Sequence, residues 1–552
     1  MDEAHCISDW GHDFRPDYRH IVGILKVMPE GMPVLGTTAT ANDRVVSDIK
    51  EQLGGINVLR GALTRDSLKL QNIVLKDQAS RLAWLKENIP NIDGSGIIYA
   101  LTIRDVIAVT EWLIECDIDA AAYYSGVMDD NFDSTAKYRE HLEDALYNND
   151  LKVLVATTAL AMGYDKPDLN FVIHFQAPDS IISYYQQVGR AGRAINSANG
   201  ILLSGHEDAD IHNYFRNSAF PPEYVVQDIL QALIDHDGLS VKELQEVLNI
   251  KKGVIEKTLK YLSVEEPSPI IYEKPKWKRS AVSFTMDTEK IERLTNQRVL
   301  EWGTVQNYIN TKDCLMTFLQ RELDDPNITN CGKCANCLGK SIVPDSVSHN
   351  NIIEASIYLK HSEFDILPRK QTISNALPEY DWPFRIPADL QAETGKVLSR
   401  WGDSGWGKMV ADDKHSGYFR DELVDAMYEM IVDRWKPDPF PEWLTCIPSL
   451  RHPELVPNFA KRLAGKLGIP FKPIIIKAKD TKPQKEQENS FYQCHNLDGV
   501  FEIDGKVENK PVFLVDDAVD SRWTFTIAAI LLKKSGSGLA YPIALTSTSV
   551  SD

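Results

Sequence analysis

The alternation of short apolar segments with helical segments between about Leu68 and Arg216 constrains the fold more than any other feature of this sequence. The apolar segments read GIIYA, AAAYYSG, KVLVATTA and FVIHFQ, and stretches of helical character separate them. A repeated order of strand and helix favours a parallel sheet covered by helices. In such open sheets the chemistry is carried by the loops. The sequence therefore predicts an α/β unit with functional residues in its loops.

Two of these loops carry residues suited to nucleotide chemistry. The segment ATTALAMGYDKPD places Gly163 and Asp165 just after a predicted helical turn, and YYQQVGRAGR holds Gln186, Arg190 and Arg193. Two arginines three positions apart on a helix face one direction, so we expect both to reach a triphosphate across a cleft. An ordinary basic surface helix is the alternative for such a pair.

The opening of the chain combines an acidic pair, an aromatic segment and a hydroxyl-rich segment. Asp2 and Glu3 resemble the carboxylates that hold Mg²⁺ and polarise the attacking water in ATP-driven motors, with an acidic solvated helix as the alternative. The segment PVLGTTATA predicts a strand that delivers the hydroxyls of Thr38 and Thr40 to a site. The segment SDWGHDFRPDYR suits stacking on unpaired bases. Its aromatic and basic residues are Trp10, His12, Phe14 and Arg15.

The ordered set DEAH, CISDWGHDFRPDYR, TATA, IIY, YYSG, VATTALAMGYDKPD and QQVGRAGR resembles the RecQ family of DNA helicases over residues 1–216. The resemblance implies two RecA-like lobes and ATP-dependent 3′ to 5′ unwinding in DNA repair or recombination, with single-stranded or forked DNA as partner. It implies that residues 10–15 couple DNA contact to ATP turnover. The matching catalytic residues are Asp2, Glu3, His5, Gln186, Arg190 and Arg193, and those matching the ATP-coupling motifs are Thr38, Thr40, Gly163 and Asp165.

RecQ-like proteins carry a phosphate-binding loop before DEAH, and the 552 residues contain no G-x-x-x-x-G-K-[ST] sequence. Such a loop supplies the backbone amides and the lysine that hold the nucleotide phosphates. We therefore expect residues 1–552 to represent a fragment that starts inside the first lobe, with negligible ATPase activity by itself.

Four cysteines predict a metal site. Cys314 is followed after sixteen residues by Cys331, Cys334 and Cys337, and four thiolates with two-residue gaps are typical of a closed structural Zn²⁺ site. Buried free cysteines are the alternative. RecQ-like proteins carry the same spacing after the motor, which implies a zinc module here.

A helix-turn-helix and two wing strands are predicted between the motor and the cysteines. LSVKELQEVLNIKKGVIEKTLKYL has apolar residues at helical spacing around the break NIKKG, and IIYEKPKWKRSAVSF follows it. Residues 251–279 contain eight Lys or Arg and four Asp or Glu, so duplex DNA could bind here, whereas a solvated basic face is the alternative. The lysines assigned to DNA are Lys274, Lys276 and Lys278. RecQ-like proteins usually place this module after the zinc module, so the order departs from the pattern.

The last third of the sequence predicts a phosphoribosyl diphosphate site. PVFLVDDAVDSRWTFTIAAILL shows a buried strand, two carboxylates for ribose hydroxyls, and a hydroxyl-rich turn with a helix for the 5-phosphate. With CIPSLRHPELVPNFAKRLAGKLGIPF it resembles ComF-like phosphoribosyltransferases over residues 380–552. The resemblance assigns the ribose to Asp516 and Asp517, and the phosphate to Ser521, Arg522 and Thr524.

One departure from that family concerns its phosphate loop. The family has Thr-Thr-Gly-x-Thr, whereas Arg522 and Trp523 replace the glycine and its small neighbour here. Large residues adopt positive φ poorly, so binding without transfer is an alternative to transferase activity. A domain kept for packing alone is a third interpretation.

Size and composition agree with a multidomain α/β protein. The net charge of −19 argues against indiscriminate nucleic-acid binding but leaves room for local basic surfaces. The sequence has no signal-peptide layout and no apolar run of the ~18 residues that a membrane span needs. We expect a monomer in the bacterial cytoplasm, associated with the nucleoid, that uses ATP, Mg²⁺, structural Zn²⁺ and phosphoribosyl diphosphate.

The expected domains are part of a first RecA-like lobe at 1–66, a second lobe at 67–218, a winged-helix-like segment at 222–288, a four-cysteine zinc module at 296–342, a linker at 343–379 and a phosphoribosyltransferase-like domain at 380–552. Two other functions stay open: a non-motor DNA-binding regulator, and an enzyme of nucleotide metabolism.

Overall fold

The computed structural model describes residues 2–7, 21, 24–25, 28–29, 32–38, 40, 42–53, 57–61, 63, 65–160, 163–361, 363–403 and 405–548. The chain divides into two compact units. The first unit comprises residues 1–221, 260–269 and 281–355, and the second comprises residues 222–259, 270–280 and 356–552.

Six strands of the first unit form one parallel sheet. They are β1 (Leu68–Val74), β2 (Gly96–Tyr99), β3 (Ala120–Tyr123), β4 (Val153–Ala156), β5 (Phe171–His174) and β6 (Ala198–Ser204). Their order is β1-β6-β5-β2-β4-β3, and every pairing is parallel. The α/β alternation in the sequence therefore predicted this sheet correctly. All residues of β2, β4 and β5 are buried, which explains their uninterrupted apolar sequences.

Helices alternate with these strands. They are α1 (Asp43–Leu53), α2 (Gln78–Asn88), α3 (Ile103–Glu115), α4 (Thr135–Tyr147), α5 (Ile181–Val188) and α6 (Asp208–Asn217), and short 3₁₀ turns lie at Ala4–Ile7, Ile89–Asn91 and Thr158–Leu160. Several helices begin at a side-chain cap: Thr102, Ser134 and Ser180 each accept a hydrogen bond from a backbone N–H in the first turn.

The strand expected from PVLGTTATA is wrong for the described residues of that segment. Residues 32–38 and 40 are irregular, and the side chain of Leu35 is exposed. A strand needs a hydrogen-bonded neighbour, and no described strand pairs with this segment. The hydroxyls of the segment nevertheless reach a site, as described below.

Helices and a hairpin form in the region where a helix-turn-helix and two wing strands were predicted. The elements are α7 (Glu223–Asp235), α8 (Val241–Val247), α9 (Lys252–Ser263), β7 (Ile270–Glu273) and β8 (Lys276–Arg279). A capping box begins α8, in which Ser240 and Glu243 satisfy each other's backbone N–H groups. The hairpin strands pair antiparallel, and Leu239 exchanges two backbone hydrogen bonds of 2.9 Å with Trp277. This pairing ties the hairpin to the start of α8.

The next helices are α10 (Thr288–Asn310), α11 (Leu315–Glu322) and α12 (Ala335–Leu338). Helices α10 and α11 share one hydrophobic core with the parallel sheet of the first unit, to which Tyr308, Leu315 and Leu319 contribute. Backbone carbonyls of this region accept hydrogen bonds from the sheet, as Tyr308 does from Asn72 at 2.8 Å.

A second sheet organises the C-terminal region. After α13 (His349–Lys360), the strands are β9 (Phe364–Ile366), β10 (Gly395–Val397), β11 (Trp443–Cys446), β12 (Ile475–Lys477), β13 (Phe501–Ile503), β14 (Val512–Val519) and β15 (Ala540–Ser547). The sheet has the order β11-β14-β15-β10-β9, with β9 antiparallel and the others parallel, while β12 and β13 form a separate antiparallel pair. The linker expected at 343–379 is therefore wrong in part, because α13 and β9 lie within it.

The helices of this region are α14 (Trp406–Ser416), α15 (Asp421–Glu429) with a π-helical extension (Met430–Trp435), α16 (Leu455–Leu467), α17 (Ser490–His495) and α18 (Trp523–Lys534), with 3₁₀ turns at Ala388–Leu390 and Gln484–Glu486. Alternate residues of β14 belong to two cores: Leu514 packs with α18, and Val515 packs with α15 and α16. None of the helices in the described ranges is long and apolar enough to cross a membrane.

Candidate functional site

The carboxylate of Asp2 is held beside the hydroxyl-rich segment. Thr37 Oγ1 donates a hydrogen bond of 2.8 Å to Asp2 Oδ1, and the backbone N–H of Glu3 donates to the same oxygen at 3.0 Å. These two bonds, that from Thr37 first, lower the pKa of Asp2 below its usual range. An ionised, accessible carboxylate is the ligand type that Mg²⁺ prefers, so Asp2 fits the metal role predicted for it.

His5 joins the acidic pair to the helix α5. Its Nδ1 lies 2.9 Å from Thr38 Oγ1 and 3.2 Å from Glu3 Oε2, and its Nε2 lies 3.4 Å from Gln186 Nε2. With the proton assigned to Nδ1, the ring accepts from Gln186 and donates toward Glu3 or Thr38. His5 is 3% exposed, so these partners replace water around the ring.

Gln186 completes this cluster, because its Nε2 also donates to Thr40 Oγ1 at 2.7 Å. Residues 2–5, 37, 38, 40 and 186 are far apart in sequence, and the fold of the first unit brings them within hydrogen-bonding distance. Asp2, Glu3, His5, Thr38, Thr40 and Gln186 therefore form one site, which we call the DEAH cluster.

The two arginines of the QQVGRAGR segment do not lie on a helix face, which corrects the prediction. Helix α5 ends at Val188, and the following residues form turns. Gly192 has φ +75°, and a Cβ there would lie 2.4 Å from Ser67 Oγ, so the close approach of these two segments requires glycine. Arg190 and Arg193 consequently point to different partners.

Arg190 is buried and donates to the backbone carbonyl of Tyr164, while Arg193 pairs with Asp165 at 2.6 Å. Asp165 follows Gly163, which has φ +81°. The segment at residues 164–165 therefore contacts the arginine segment directly, through the Tyr164 carbonyl and the Asp165 carboxylate.

Arg65 is a cation at this site that the sequence did not reveal. It lies near Tyr185, Arg193 and Asp165, and burial lowers its pKa. It precedes β1 in a segment without a recognisable motif, so its place beside Arg193 depends on the tertiary fold. Trp10, His12, Phe14 and Arg15, the residues predicted to contact DNA, lie outside the described residues.

The four predicted cysteine ligands converge. Their sulfur atoms all lie within 4.8 Å of one another, with Cys314 Sγ 3.5 Å from Cys331 Sγ and 3.9 Å from Cys334 Sγ. Tetrahedral coordination with Zn–S bonds of ~2.3 Å requires sulfur atoms about 3.8 Å apart. The donor set therefore fits Zn²⁺.

Backbone amides surround these sulfurs. The N–H groups of Cys331, Cys334 and Cys337 point at the sulfurs of Cys314, Cys331 and Cys334, with N–S distances of 3.3, 3.3 and 3.4 Å. Such bonds favour thiolates, which are the form that binds metal.

The basic hairpin is partly neutralised by its own neighbours. Lys276 Nζ lies 3.2 Å from Glu243, and Lys278 Nζ lies 2.8 Å from Glu273. Glu243 also accepts from the backbone and side chain of Ser240, and these bonds with that from Lys276 lower its pKa to about 2. Lys274 is exposed and has no ion-pair partner among the described residues. The three lysines predicted to bind DNA are therefore not equivalent.

A pocket of about 800 Å³ opens at the carboxyl end of β14. Asp516, Asp517, Ser521, Arg522 and Thr524 line it, as predicted for a ligand site. Asp517 Oδ2 pairs with Lys414 Nζ at 2.8 Å. Enclosure by protein, and then the neighbouring Asp517, raise the pKa of Asp516 well above its usual range. The two neighbouring carboxyl groups therefore differ in surroundings: Asp516 is the more enclosed, and Asp517 has a cationic partner.

Basic side chains dominate the rim of this pocket. Six Lys or Arg residues line it against four Asp residues, although acidic residues outnumber basic ones in the whole chain. The six are Lys414, Arg451, Lys477, Lys482, Lys485 and Arg522. Such a rim attracts an anionic ligand.

Arg522 has φ +67° and is the residue before α18. It therefore occupies the left-handed conformation for which the sequence argument favoured glycine. Trp523 does not reach the pocket: it is buried, its Nε1 donates to Ser490 Oγ at 3.1 Å, and Arg369 lies 3.9 Å above its ring. Anchoring of Trp523 in the core thus holds the turn at Arg522.

Comparisons with known proteins agree with the first unit's features. Residues 80–195 match the helicase conserved C-terminal domain. The chain is 38% identical over 215 residues to the RecQ-like DNA helicase BLM of Xenopus laevis, covering 38% of this chain and 15% of that protein. It is 32% identical over 240 residues to the ATP-dependent DNA helicase RecQ of Bacillus subtilis, covering 43% and 39%. Over these residues the chain is similar to RecQ-type DNA helicases.

The matches span only part of each relative. A probable ATP-dependent DNA helicase RecS of Bacillus subtilis is 27% identical over 341 residues, covering 60% of this chain and 65% of that protein. Among solved structures, yeast Dbp5 bound to RNA and ADP BeF3 is 20% identical with a TM-score of 0.32, covering 39% of this chain and 56% of that chain. The Mycobacterium smegmatis helicase Lhr bound to ssDNA and AMP-PNP is 18% identical with a TM-score of 0.32, covering 55% and 42%.

Proposed function

We propose that this protein is a RecQ-like, ATP-dependent DNA helicase with 3′ to 5′ polarity that acts in DNA repair or recombination. The observation that carries the proposal is the DEAH cluster, in which Gln186 contacts both His5 and Thr40. Contacts between distant motifs suit a motor because nucleotide-dependent changes at one motif must reach the others. Mg²⁺ would be held through Asp2 and would neutralise charge on the ATP phosphates.

The chain's own residues supply the remaining steps. Glu3 accepts the proton of the attacking water, and His5 holds the Glu3 carboxylate in place through its ring nitrogen. Gln186 lies in α5 and contacts His5, so a change at the Glu3 carboxylate can move α5 and the arginine segment that follows it. Arg193, held by Asp165, stabilises charge on the departing phosphate once it exchanges that partner for the nucleotide.

Glu3→Gln tests the motor assignment. The assay uses residues 1–552 joined after a first-lobe segment that supplies a phosphate-binding loop, because the 552 residues contain no such loop. We expect ATP binding to persist and DNA-stimulated turnover to fall ~10²- to 10⁴-fold, the usual contribution of a general base. The matched control is Glu140→Gln on the exposed face of α4. Equal turnover in both variants, or an inactive parent protein, would reject the motor.

We further propose that the helix-turn-helix and hairpin bind DNA through phosphate contacts. A substitution at Lys274 distinguishes this proposal from the alternative that the basic face contacts only solvent. Lys274→Glu should weaken binding to forked DNA and flatten its salt dependence, because fewer counterions are released. Lys276 is less suitable, since its replacement also disturbs the cap at Glu243. If Lys274→Glu changes neither the affinity for DNA nor its salt dependence, the hairpin does not bind DNA and its basic face contacts only solvent.

A second activity is favoured by the pocket at β14. We propose that it binds phosphoribosyl diphosphate, with the carboxyl groups of Asp516 and Asp517 on the ribose hydroxyls and the turn at Ser521–Thr524 on the 5-phosphate. The six Lys or Arg residues of the rim support an anionic ligand of this kind.

Zn²⁺ at the four cysteines has a structural role, because four protein ligands leave no open position.

Calorimetry on the full chain tests this pocket. Phosphoribosyl diphosphate with Mg²⁺ should bind, and Asp516→Asn with Asp517→Asn should abolish the heat. Asp504→Asn, at an exposed position outside the pocket, is the matched control. No heat at millimolar ligand for the unaltered chain would reject the ligand, leaving a domain that serves packing.

A further inference from the structure

The turn between α8 and α9 is held by a segment of the C-terminal region, and both belong to the second unit. Asn249 Nδ2 donates to the carbonyl of Glu486 at 2.9 Å, and the backbone N–H of Glu488 donates to Asn249 Oδ1 at 2.8 Å. The turn residue Asn249 is therefore bonded at both ends of its amide.

Asn489 makes the central contacts of this interface. It is 3% exposed, and its Nδ2 donates to the carbonyls of Gln245 at 2.9 Å and Leu248 at 2.7 Å. Its Oδ1 accepts the N–H of Tyr492 and caps α17. The Tyr492 hydroxyl adds a bond of 3.0 Å to the carbonyl of Val247. One asparagine thus satisfies two carbonyls at the C-terminal end of α8 and an amide in the first turn of α17.

The preceding part of the same segment forms a wall of the β14 pocket. Residues 480–485 all line the pocket, and Lys482 and Lys485 supply two of its basic side chains. Asn496 Nδ2 donates to the carbonyl of Lys482 and to Gln484 Oε1, each at 2.9 Å. The wall and the α8–α9 turn are therefore attached to one short stretch of chain.

A buried amide connects the two ends of this stretch to the pocket floor. Gln493 Nε2 donates to the carbonyl of Gln487 at 3.0 Å and to Asp520 Oδ2 at 3.3 Å, while Gln484 Nε2 donates to the carbonyl of Gln493 at 2.6 Å. Asp520 lines the pocket beside the turn at Arg522. The hydrogen bonds run without interruption from the pocket to residues next to Asn489.

We infer that ligand binding in the β14 pocket and DNA binding by the helix-turn-helix are positively coupled through residues 480–492. This regulation rests on the two binding activities proposed above. Lys251 precedes α9 and Lys252 begins it, two and three residues after Asn249, and the first residues of such a helix are those that reach DNA. Ordering the turn therefore orders these lysines.

The sign of the coupling follows from the arrangement. The same conformation of the segment places Lys482 and Lys485 at the pocket and Asn489 on α8. A polyanion held by these lysines favours that conformation, and so does DNA that requires an ordered turn. Each ligand lowers the cost of ordering for the other, and the coupling is reciprocal.

The test measures affinity of the full chain for a fluorescein-labelled fork by anisotropy, with and without phosphoribosyl diphosphate and Mg²⁺. We expect at least about fivefold tighter DNA binding with saturating ligand, the lower end of typical coupling between sites. Inorganic pyrophosphate serves as a second probe, because it offers phosphate charge to the basic rim without a ribose.

Asn489→Asp is the decisive variant. An aspartate keeps the oxygen that caps α17 but replaces both donors with an oxygen facing two carbonyls, so the segment should leave α8. Each ligand should still bind in the absence of the other. The ratio of DNA affinities with and without phosphoribosyl diphosphate should fall to about one. The matched control is Asn509→Asp, at an exposed position without side-chain hydrogen bonds among the described residues. Tyr492→Phe, which removes one bond, should reduce the coupling in part.

The outcomes separate this inference from the proposed activities. If calorimetry of the unaltered chain shows no heat with phosphoribosyl diphosphate, the proposed ligand of the pocket is wrong. If the unaltered chain does not bind the fork, the proposed DNA surface is wrong. If both bind and DNA affinity is unchanged or weakened by ligand, the inference is wrong. It is also wrong if Asn489→Asp retains the coupling of the unaltered chain.

Discussion

His174 makes the first unit sensitive to acid. The side chain is 1% exposed at the end of β5, with Nε2 2.8 Å from Gln187 Oε1. Its Nδ1 has no hydrogen-bond partner among the described residues. Burial lowers its pKa to about 4, and the bond to Gln187 offsets part of this effect. The folded protein therefore keeps the imidazole neutral.

The sign and size of the effect follow from linkage. Between pH ~6.5, the pKa of an unfolded histidine, and pH about 4, the unfolded chain binds a proton that the folded chain does not. Stability is unaffected above that window and falls as pH decreases through it. One pKa unit corresponds to ~1.4 kcal/mol, so His174 should cost about 2 kcal/mol at pH 5.

Hydrogen exchange measures this cost locally. The assay compares the exchange protection of peptides from β2 and β5 at pH 7.5 and pH 5 in the unaltered chain and in His174→Gln, which does not titrate. Loss of the zinc proposed at the cysteines would occur at low pH in both proteins, so its effect would cancel in the comparison. We expect the unaltered chain to lose about 2 kcal/mol more protection than the variant over this range. Equal losses in both would refute the argument.

Two further changes test the other sites. Cys334→Ser should reduce bound zinc from one equivalent per chain to a small fraction and lower the thermal midpoint, since Cys334 is buried in the core shared with the parallel sheet. Metal analysis measures the zinc and calorimetry the thermal midpoint. Zinc-free unaltered protein would contradict the prediction. Arg522→Gly should leave the thermal midpoint nearly unchanged, because glycine accepts φ +67° at no steric cost. The same change should weaken anion binding several-fold, and an unchanged affinity would show that Arg522 does not contact the ligand.

The sequence alone determined the parts of this protein that depend on local pattern. The strand and helix alternation between β1 and β6 identified the parallel sheet, because buried parallel strands need continuous apolar residues. The cysteine spacing identified the cluster, since two-residue gaps bring sulfurs together within one loop. The pattern around NIKKG likewise located the turn between α8 and α9.

Only the tertiary structure decided which distant residues meet. The place of Arg65 beside Arg193, the contact of Gln186 with Thr40, and the attachment of Asn489 to α8 have no signature in the local sequence. The arginine segment was misassigned to a helix for the same reason: Gly192 is required by the approach of Ser67, which lies 125 residues away. The local sequence pattern indicates which face of each segment is buried. Which distant residues contact each other depends on how the segments pack, and packing is a property of the whole fold.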